Sequence, residues 1–304
     1  MIAVLIYIYH TEVWDELYPL LLPLREYIKI DIALCKDNNN LKIEEDLKNF
    51  SLIKTRYVEN KGVDIGPFLL QLQDLDHEEY PYFIKLHSKK SLINKFEWKH
   101  VLFNCLIGSK EILLKNIEIL NKDSMVGAIT DQTTIMKSVG HNKKHIAILS
   151  LLLKIKTTDK RFMAGSMFMS RTKIFKKYFT TELISKIYPL LETGKVTDVY
   201  NGTYCHALER IFGKIISNDK LLISFTKAKP YLKIYNRDHK RKYPIYKCYN
   251  NYCYSKSNQG ILFGYIYPIL HDDSVVINWT YLKQYDNFFR RYDKQNDGVF
   301  IGVS

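Results

Sequence analysis

An unbroken apolar run opens the chain. Residues 2–9 read IAVLIYIY, with no charged side chain and no alternation of polar and apolar positions. A short run of this kind is typical of a strand that is covered on both faces, as in a parallel sheet. Parallel strands require long crossover connections, usually helices. The opening run therefore predicts alternating strands and helices rather than hairpins.

The residues that follow supply such a crossover. Thr11 can cap an amphipathic helix over 12–27, and residues 30–34 (IDIAL) predict a second strand. Residues 54–58 predict a third strand. Strand, helix and strand in this order favour an α/β fold with a mostly parallel sheet flanked by helices.

Composition limits the partners and the compartment. Lys and Arg number 45 against 32 Asp and Glu, a net charge of +13. The positive surface favours anionic partners such as phosphates, nucleotides, nucleic acid or a membrane face, although AT-rich coding bias also enriches Lys. The five cysteines show no CxxC spacing, so neither a zinc site nor a disulfide framework is predicted. No apolar run approaches the roughly 20 residues of a membrane span, and the N-terminus lacks signal-peptide features. A cytoplasmic location is expected.

Polar side chains follow the fourth predicted strand, Tyr82–Leu86. Open α/β sheets bind ligands at the carboxyl ends of their strands. Ammonium and hydroxyl groups are suitable donors to phosphate. The alternative is a solvated basic turn after an edge strand. The candidate phosphate ligands are Lys85, His87, Ser88, Lys89, Lys90 and Ser91.

Glycines bracket an aspartate after the third strand. Gly62, Asp64 and Gly66 precede Pro67 and an apolar helix over 68–75. Such a loop can present backbone N–H groups and a helix N-terminus to phosphate, with Asp64 free to bind a ribose or a base. An ordinary strand–helix turn with a capping Asp is the alternative.

Two stretches of the second half complete the candidate site. Residues 162–171 predict one buried strand, in which Gly165–Ser166 allows close approach to the backbone or forms a bulge. Thr203 predicts a helix N-cap, and His206, Glu209 and Arg210 then share one helical face. They can provide a general base and a phosphate clamp, or simply a surface Glu–Arg pair beside a packed histidine.

Between these stretches, two further predictions concern secondary structure and mobility. Residues 96–121 predict one long helix, although Gly108 lies at its middle. Residues 131–161 are rich in Lys and Thr and predict a mobile excursion over the site.

Four motifs together resemble the rhamnan synthesis protein F family, glycosyltransferases of bacterial and viral polysaccharide assembly. They are ENKGVDIGPF (59–68), KLHSKKS (85–91), AGSMFM (164–169) and GTYCHALERIFG (202–213). The resemblance spans residues 1 to about 215. It implies transfer of a deoxyhexose, typically rhamnose, from a nucleotide-sugar to a growing glycan. The expected domains are a transferase domain at 1–215 and a Tyr/Lys-rich C-terminal extension at 216–304 packed on it.

The order of elements is also similar to that of GT-A-like glycosyltransferases. In most of these enzymes the strand aligned with Tyr82–Leu86 ends in Asp-x-Asp, which holds a divalent cation against the diphosphate. Here Lys85-Leu-His87 and Lys89–Lys90 stand in that place. Lysines can neutralise the leaving diphosphate directly, so a metal-independent enzyme that requires no cofactor is expected.

Our leading hypothesis gives each group of residues a role. Asp64 and the Gly62/Gly66 loop bind the nucleoside, and Gly165–Ser166 binds the sugar. The diphosphate is bound by Lys85, His87, Lys89 and Lys90. The helix with Arg210 serves the acceptor side and contacts the donor, with Glu209 as the first choice of base and Asp198 and His206 as rivals.

The expected partners are the donor, a glycan or lipid-linked acceptor, and peripherally a membrane, with no nucleic acid. Two alternatives stay open: a non-catalytic module that binds polyanions or nucleic acid, and a degenerate transferase retained as a scaffold.

Overall fold

The computed structural model describes residues 1–89, 99–194, 196 and 201–225 with their side chains. Backbone alone is described for residues 92–93, 96–98, 256–257 and 260–261. The chain forms two compact units, residues 1–91 with 97–226, and residues 92–96 with 227–304. In the second, strands Lys256–Ser257 and Gly260–Ile261 pair antiparallel. The rest of the predicted extension beyond residue 225 lies outside the described residues, as do Lys90, Ser91 and Asp198.

A seven-stranded sheet organises the first unit. Its order is β7-β5-β6-β4-β1-β2-β3, and β6 alone runs antiparallel, between β4 and β5. The predicted α/β fold with a mostly parallel sheet flanked by helices is confirmed. Because six strands share one direction, their carboxyl ends meet at one edge. The strands are β1 (Ile2–Ile8), β2 (Ile28–Cys35), β3 (Ile53–Val58), β4 (Tyr82–His87), β5 (Val126–Thr130), β6 (Phe168–Arg171) and β7 (Leu222–Phe225).

Helices connect these strands, with short 3-10 turns at several junctions. In the described part of the chain, no helix is both long and apolar enough to cross a lipid bilayer. The helices are α1 (Trp14–Leu21), α2 (Leu41–Leu47), α3 (Ile65–Asp74), α4 (Trp98–Ile107), α5 (Lys110–Lys122), α6 (Lys143–Leu152), α7 (Thr172–Tyr178), α8 (Thr181–Ile187) and α9 (Tyr204–Asn218). The 3-10 turns are Thr11–Val13, Leu22–Leu24, Gln132–Thr134, Gly140–Asn142 and Tyr188–Leu190.

The prediction of a single helix over 96–121 is wrong, because the chain forms two helices there, α4 and α5. Ser109 lies between them in an extended conformation and accepts a hydrogen bond from the Ile112 N–H at 3.3 Å, which makes it the N-cap of α5. A capping serine satisfies an N–H group that would otherwise lack a partner. The apolar spacing continues across the break, so the pattern alone did not reveal it.

The predicted strand over 162–171 divides into two strands of different sheets. Arg161–Met163 pairs antiparallel with Ile135–Lys137 in a small two-stranded sheet, whereas β6 joins the main sheet. The turn between them places Gly165 at φ +85° and Ser166 at φ +50°. The segment predicted to be a mobile excursion is packed in part, since Ile146 and Leu149 of α6 are buried in the core.

Buried phenylalanines hold α3, α9, β4 and β6 together on one face of the sheet. The ring of Phe68 on α3 lies 5.6 Å from Phe83 on β4, 6.3 Å from Phe168 on β6 and 5.4 Å from Phe212 on α9. All four rings are at most 1% exposed. Full burial of each side chain stabilises the fold by about 1.5–3 kcal/mol. This cluster fixes four elements that reach the carboxyl edge.

A charged network ties α3 to β2 and β3. Arg56 on β3 pairs with the buried Asp31 on β2 through two hydrogen bonds, of 3.1 and 2.6 Å. Its guanidinium also donates to the Leu70 carbonyl and the Asp74 carboxylate. Gln71 on α3 donates to the backbone carbonyls of Ile6 and Asp31. We call Asp31, Arg56, Gln71 and Asp74 the Asp31 network.

Candidate functional site

The loop between β3 and α3 positions Asp64 at the carboxyl edge of the sheet. Gly62 lies at φ +75°, where a Cβ atom would stand 2.6 Å from Leu191 Cδ1. A Cβ atom on Gly66 would stand 2.0 Å from the Lys61 carbonyl oxygen. Both glycines are therefore required for close packing.

The N–H groups of both glycines donate within the protein. Gly62 donates to the Glu192 carbonyl at 2.7 Å, and Gly66 donates to the Gly62 carbonyl at 3.1 Å. Their direct binding of a donor stays a prediction. What the geometry shows is that they shape the turn that presents Asp64.

Strand alternation places Phe83, Lys85 and His87 on one face of β4, toward α3. The Lys85 ammonium donates to Asp64 Oδ2 at 2.5 Å and to the carbonyl and hydroxyl oxygens of Ser166 at 3.0 Å each. The Ser166 hydroxyl in turn donates to Asp64 Oδ2. All three hydrogens of the ammonium are thus used. We call Asp64, Lys85, His87 and Ser166 the Asp64 cluster.

The cluster is buried and its charges are balanced internally. Lys85 is 1% exposed, and the Asp64 side chain is 14% exposed. Burial alone would raise the pKa of Asp64, but attraction to His87 and Lys85, with hydrogen bonds from Lys85 and Ser166, holds it well below its usual range. Burial lowers the pKa of Lys85, which the Asp64 carboxylate opposes. Asp64 is therefore ionised at neutral pH, with Lys85 as its cation.

His87 is the incomplete member of the cluster. Its Nδ1 lies 3.4 Å from Asp64 Oδ2 and, while buried, has no hydrogen-bond partner among the described residues. Burial lowers the pKa of His87 to about 3, against the attraction of Asp64, so the imidazole is neutral at pH 7. Buried polar atoms are nearly always paired. The ring nitrogen is therefore an unsatisfied polar atom inside the cluster.

Two residues after β4 have different surroundings. The Ser88 hydroxyl oxygen accepts hydrogen bonds from the backbone N–H groups of Tyr9 and His10 at 2.8 Å each, which joins the ends of β1 and β4. Lys89 is half-buried, and its charge contributes to the lowered pKa of Lys85 and His87, for which burial is the main cause. Of the two, Lys89 is the cation close to the cluster.

The Glu209–Arg210 pair of α9 borders the turn at Gly165–Ser166. Glu209 Oε1 accepts a hydrogen bond from the Gly165 N–H at 2.7 Å, and Oε2 accepts one from Arg210 at 2.7 Å. The side chains are 16% and 12% exposed, so this is not a surface pair. The Arg210 guanidinium lies 4.7 Å from the Phe162 ring, and its Nε is buried without a partner among the described residues.

His206 lies in the first turn of the same helix. Thr203 caps that helix, as predicted, by accepting a hydrogen bond from the His206 N–H at 3.2 Å. The His206 ring places Nδ1 2.7 Å from the Thr203 hydroxyl oxygen. His206 thus contacts its own cap, while the rival base Asp198 lies outside the described residues.

Two residues at and just after the end of β1, Tyr7 and His10, lie close to the Asp64 cluster but were not predicted from the sequence. The Tyr7 hydroxyl donates to Asn60 Oδ1 at 3.5 Å. Burial raises the pKa of Tyr7 far above its usual value, and the charge of Asp64 adds to the shift. His10 contributes to the lowered pKa of His87, after burial. The edge rule that selected β4 applies equally to β1, so these residues could have been found.

No group of three or more His, Cys, Asp or Glu side chains is arranged to hold a metal ion within the part of the chain that the structure describes. The polar groups gathered at the carboxyl edge are one paired carboxylate, two lysines, a neutral imidazole and a serine. Such a set can hydrogen-bond a polar ligand and provide positive charge to an anion.

Known proteins match this chain in part. The uncharacterized protein WxcX of Xanthomonas campestris pv. campestris is 24% identical over 231 residues, which are 71% of this chain and 31% of that protein. The same identity and shares hold for WxcX of a second strain. The match thus spans about a third of the length of these relatives.

Among solved structures, 4-diphosphocytidyl-2C-methyl-D-erythritol synthase from Anaerococcus prevotii has a TM-score of 0.38 and 12% identity, over 75% of this chain and 87% of that chain. Mouse xyloside xylosyltransferase 1 has a TM-score of 0.32 and 7% identity, over 74% and 83%. The model of the rhamnan synthesis protein F family matches residues 1–221. The chain belongs to the rhamnan synthesis protein F family.

Proposed function

We propose that this protein is a glycosyltransferase that moves a sugar from a nucleotide-sugar donor to a glycan acceptor in polysaccharide synthesis. The observation that carries the proposal is the Asp64 cluster at the carboxyl edge of a mostly parallel sheet, where a buried lysine pairs with Asp64 and the Nδ1 atom of His87 has no hydrogen-bond partner among the described residues. Ligands of open α/β sheets bind at that edge. Membership of a family named for rhamnan synthesis supports the reaction class, and rhamnose or another deoxyhexose is the sugar we expect.

Burying an ion pair lowers the stability of a fold unless the attraction between the two charges compensates for their lost hydration. Removing two charges from water costs several kcal/mol per ion, and apolar replacements often stabilise proteins. Ionisable groups with strongly shifted pKa values are therefore candidates for a functional site. Asp64 keeps 14% of its side chain exposed, so its carboxylate can also meet a ligand hydroxyl.

Positive charge for the diphosphate comes from lysine in this proposal. Lys85 already donates three hydrogen bonds, so it would contact a phosphate only by exchanging one of them. Lys89 is half-buried beside the cluster, and Lys90 follows it in sequence. We assign these two lysines to the leaving diphosphate, with Arg210 as a further donor contact. Direct neutralisation by lysine is the basis for proposing a metal-independent enzyme.

The transfer needs one proton acceptor. As the acceptor oxygen bonds to the anomeric carbon, its proton passes to a base, and the bond from that carbon to the diphosphate breaks, leaving both electrons on the nucleoside diphosphate. Glu209, His206 and Asp198 are the sequence candidates for the base.

A donor panel tests the proposal. The full chain is heated with dTDP-, UDP- or GDP-sugars, with and without EDTA, while unfolding and donor hydrolysis are followed. One donor class should raise the melting temperature, because a ligand at about 100 times its Kd stabilises the folded state by about 2.7 kcal/mol.

Two results would contradict the proposal or part of it. Loss of the donor response in EDTA would overturn metal independence. No response to any donor, together with salt-sensitive oligonucleotide binding, would favour the polyanion-binding module instead.

A further inference from the structure

The turn at Gly165–Ser166 has an uncommon backbone. Gly165 and Ser166 lie in succession at φ +85° and +50°, and non-glycine residues rarely adopt positive φ. Ser166 is also only 3% exposed. A buried serine persists in this conformation only where surrounding contacts hold it.

Hydrogen bonds within the turn, from β4 and from α9 hold Gly165 and Ser166, and the Ala164 N–H donates to the Thr134 carbonyl at 2.8 Å. The Ser166 N–H donates to the Met163 carbonyl at 3.1 Å, within the turn itself. Lys85 on β4 donates to both oxygens of Ser166. From α9, Glu209 accepts the Gly165 N–H at 2.7 Å, so its carboxylate is the contact from the helix.

Both carboxylate oxygens of Glu209 are already engaged. Oε1 accepts from Gly165, and Oε2 accepts from Arg210, which itself donates to the His206 carbonyl one turn earlier. Arg210 also lies over the ring of Phe162, two residues before Ala164 at the start of the turn. Glu209 and Arg210 together therefore attach the turn to a long, well-packed helix.

The turn in turn delivers Ser166 to Asp64. The Ser166 hydroxyl donates to Asp64 Oδ2, the same oxygen that binds Lys85. A chain of direct contacts thus runs from Glu209 through Gly165 and Ser166 to Asp64. Displacement of the turn would remove acceptors from Lys85 and a donor from Asp64.

We propose that Glu209 is a positioning residue that holds the Gly165–Ser166 turn against Asp64 and Lys85, and that it is not the base of the transfer. The catalytic half of this inference rests on the proposed glycosyltransferase activity, whereas the structural half does not. The base is then to be sought at His206 or Asp198.

Glu209→Gln and Glu209→Ala separate the two roles. The glutamine carbonyl can still accept from Gly165 but is not a base of carboxylate strength, and alanine can do neither. Asp159→Asn is the matched control. Asp159 accepts hydrogen bonds from the Arg161 N–H and from the Ser217 hydroxyl, at 2.9 Å each. It thus ties the start of strand Arg161–Met163 to α9, away from the turn.

Hydrogen exchange of the Gly165 amide gives a readout that needs no activity. We expect exchange in Glu209→Ala to be faster by about tenfold or more, with a smaller change in Glu209→Gln and none in Asp159→Asn. Unaltered Gly165 exchange in Glu209→Ala would overturn the positioning role, whatever the activity proves to be.

Kinetics test the second half with whichever donor responds. Glu209→Gln should lose less than about tenfold in kcat and keep the shape of its pH–rate profile, and Glu209→Ala should chiefly raise the donor KM. A base removed by Glu209→Gln would instead lower kcat by about 10²–10⁴-fold and alter the acidic limb of the profile. That result would overturn the inference. If Glu209→Ala does not fold, the kinetics of Glu209→Gln alone make this test. Failure of every donor with the wild type counts against the proposed function alone.

Discussion

Two buried charged groups meet the same helix at different points, and they are built differently. The Asp31 network contacts the body of α3 through Gln71 and Asp74, whereas the Asp64 cluster lies at its N-terminal end. Each contains a carboxylate that is at most 14% exposed and is paired with a cation from a strand of the sheet, Arg56 on β3 or Lys85 on β4. The two groups differ in their remaining hydrogen bonds and in the conformation of their backbone.

The Asp31 network is complete. Each guanidinium nitrogen of Arg56 donates a hydrogen bond, and no buried side-chain atom of the network lacks a partner among the described residues. In the Asp64 cluster, by contrast, His87 Nδ1 has no hydrogen-bond partner among the described residues. The backbone is also at positive φ at Ser166 and at Val63, the residue directly before Asp64. Strained backbone and unsatisfied groups gather at functional sites. The difference supports the proposal that the Asp64 cluster also binds a ligand, whereas the Asp31 network only holds the fold.

The largest predicted effect comes from removing each cation. Lys85→Met and Arg56→Met each leave a buried carboxylate unpaired, which should lower the free energy of unfolding by about 3–5 kcal/mol in urea denaturation. Only Lys85→Met should also abolish the thermal response to the donor. Adding Asp64→Asn to Lys85→Met should restore much of the stability. Equal loss of donor response in both single variants would erase the distinction.

The next largest effect should be a loss of stability in acid, caused by His87. Its pKa is lowered from 6.5 to about 3 in the folded protein. The unfolded chain therefore takes up this proton first as the pH falls below 6.5, and the stability decreases toward pH 3. Between pH 7 and pH 5 the loss should be about 2 kcal/mol. Urea denaturation of the wild type and of His87→Asn measures it, and an equal pH slope in both would rule His87 out as the cause.

Two serines near one strand give a smaller and more selective test. Ser166 donates to Asp64, whereas Ser170 of β6 donates to the Gly127 carbonyl at 2.7 Å, and both are buried. Replacing either by Ala should cost about 1–2 kcal/mol of stability because buried partners lose a hydrogen bond. Donor titrations should show weaker affinity for Ser166→Ala alone. Weakening by Ser170→Ala to the same degree would place the effect in the strand rather than the site.

The smallest effect is expected at the outer side of the Asp31 network. Lys54 bonds Asp74 at 2.7 Å, with both side chains more than 40% exposed. Exposed pairs contribute about 0–1 kcal/mol, so Lys54→Ala should change urea stability by less than about 1 kcal/mol and leave donor response intact. A larger loss of stability would show that the Asp31 network depends on the exposed Lys54.

Much of the fold could be predicted from sequence because its signals are local. The apolar run of β1, the βαβ opening and the Thr203 cap depend on neighbouring residues, and all three are present in the structure. The carboxyl-edge rule placed Lys85 and His87 at the same end of the sheet as Asp64. These features required no knowledge of long-range contacts.

The pairings within the site could not be predicted in the same way. Lys85 and Ser166 are 81 positions apart, and Ser166 and Asp64 are 102 apart. Sequence therefore suggested lysine facing a phosphate, whereas the fold brings Asp64 and Ser166 to the ammonium first. The reversed direction of β6 was equally hidden, since the apolar pattern of 162–171 continues through a turn that two positive φ angles create.

The most direct test of the central claim is calorimetric titration with the donor that responds in the panel. The proteins to titrate are the wild type, Asp64→Asn and Asp31→Asn. Both substitutions neutralise a carboxylate that pairs with a cation from a strand of the sheet, but only Asp64 lies in the proposed donor site. We predict that Asp64→Asn binds the donor at least about tenfold more weakly than wild type, a loss of about 1.4 kcal/mol, while Asp31→Asn binds with wild-type affinity. Wild-type affinity in Asp64→Asn would contradict the assignment of the Asp64 cluster as the donor site.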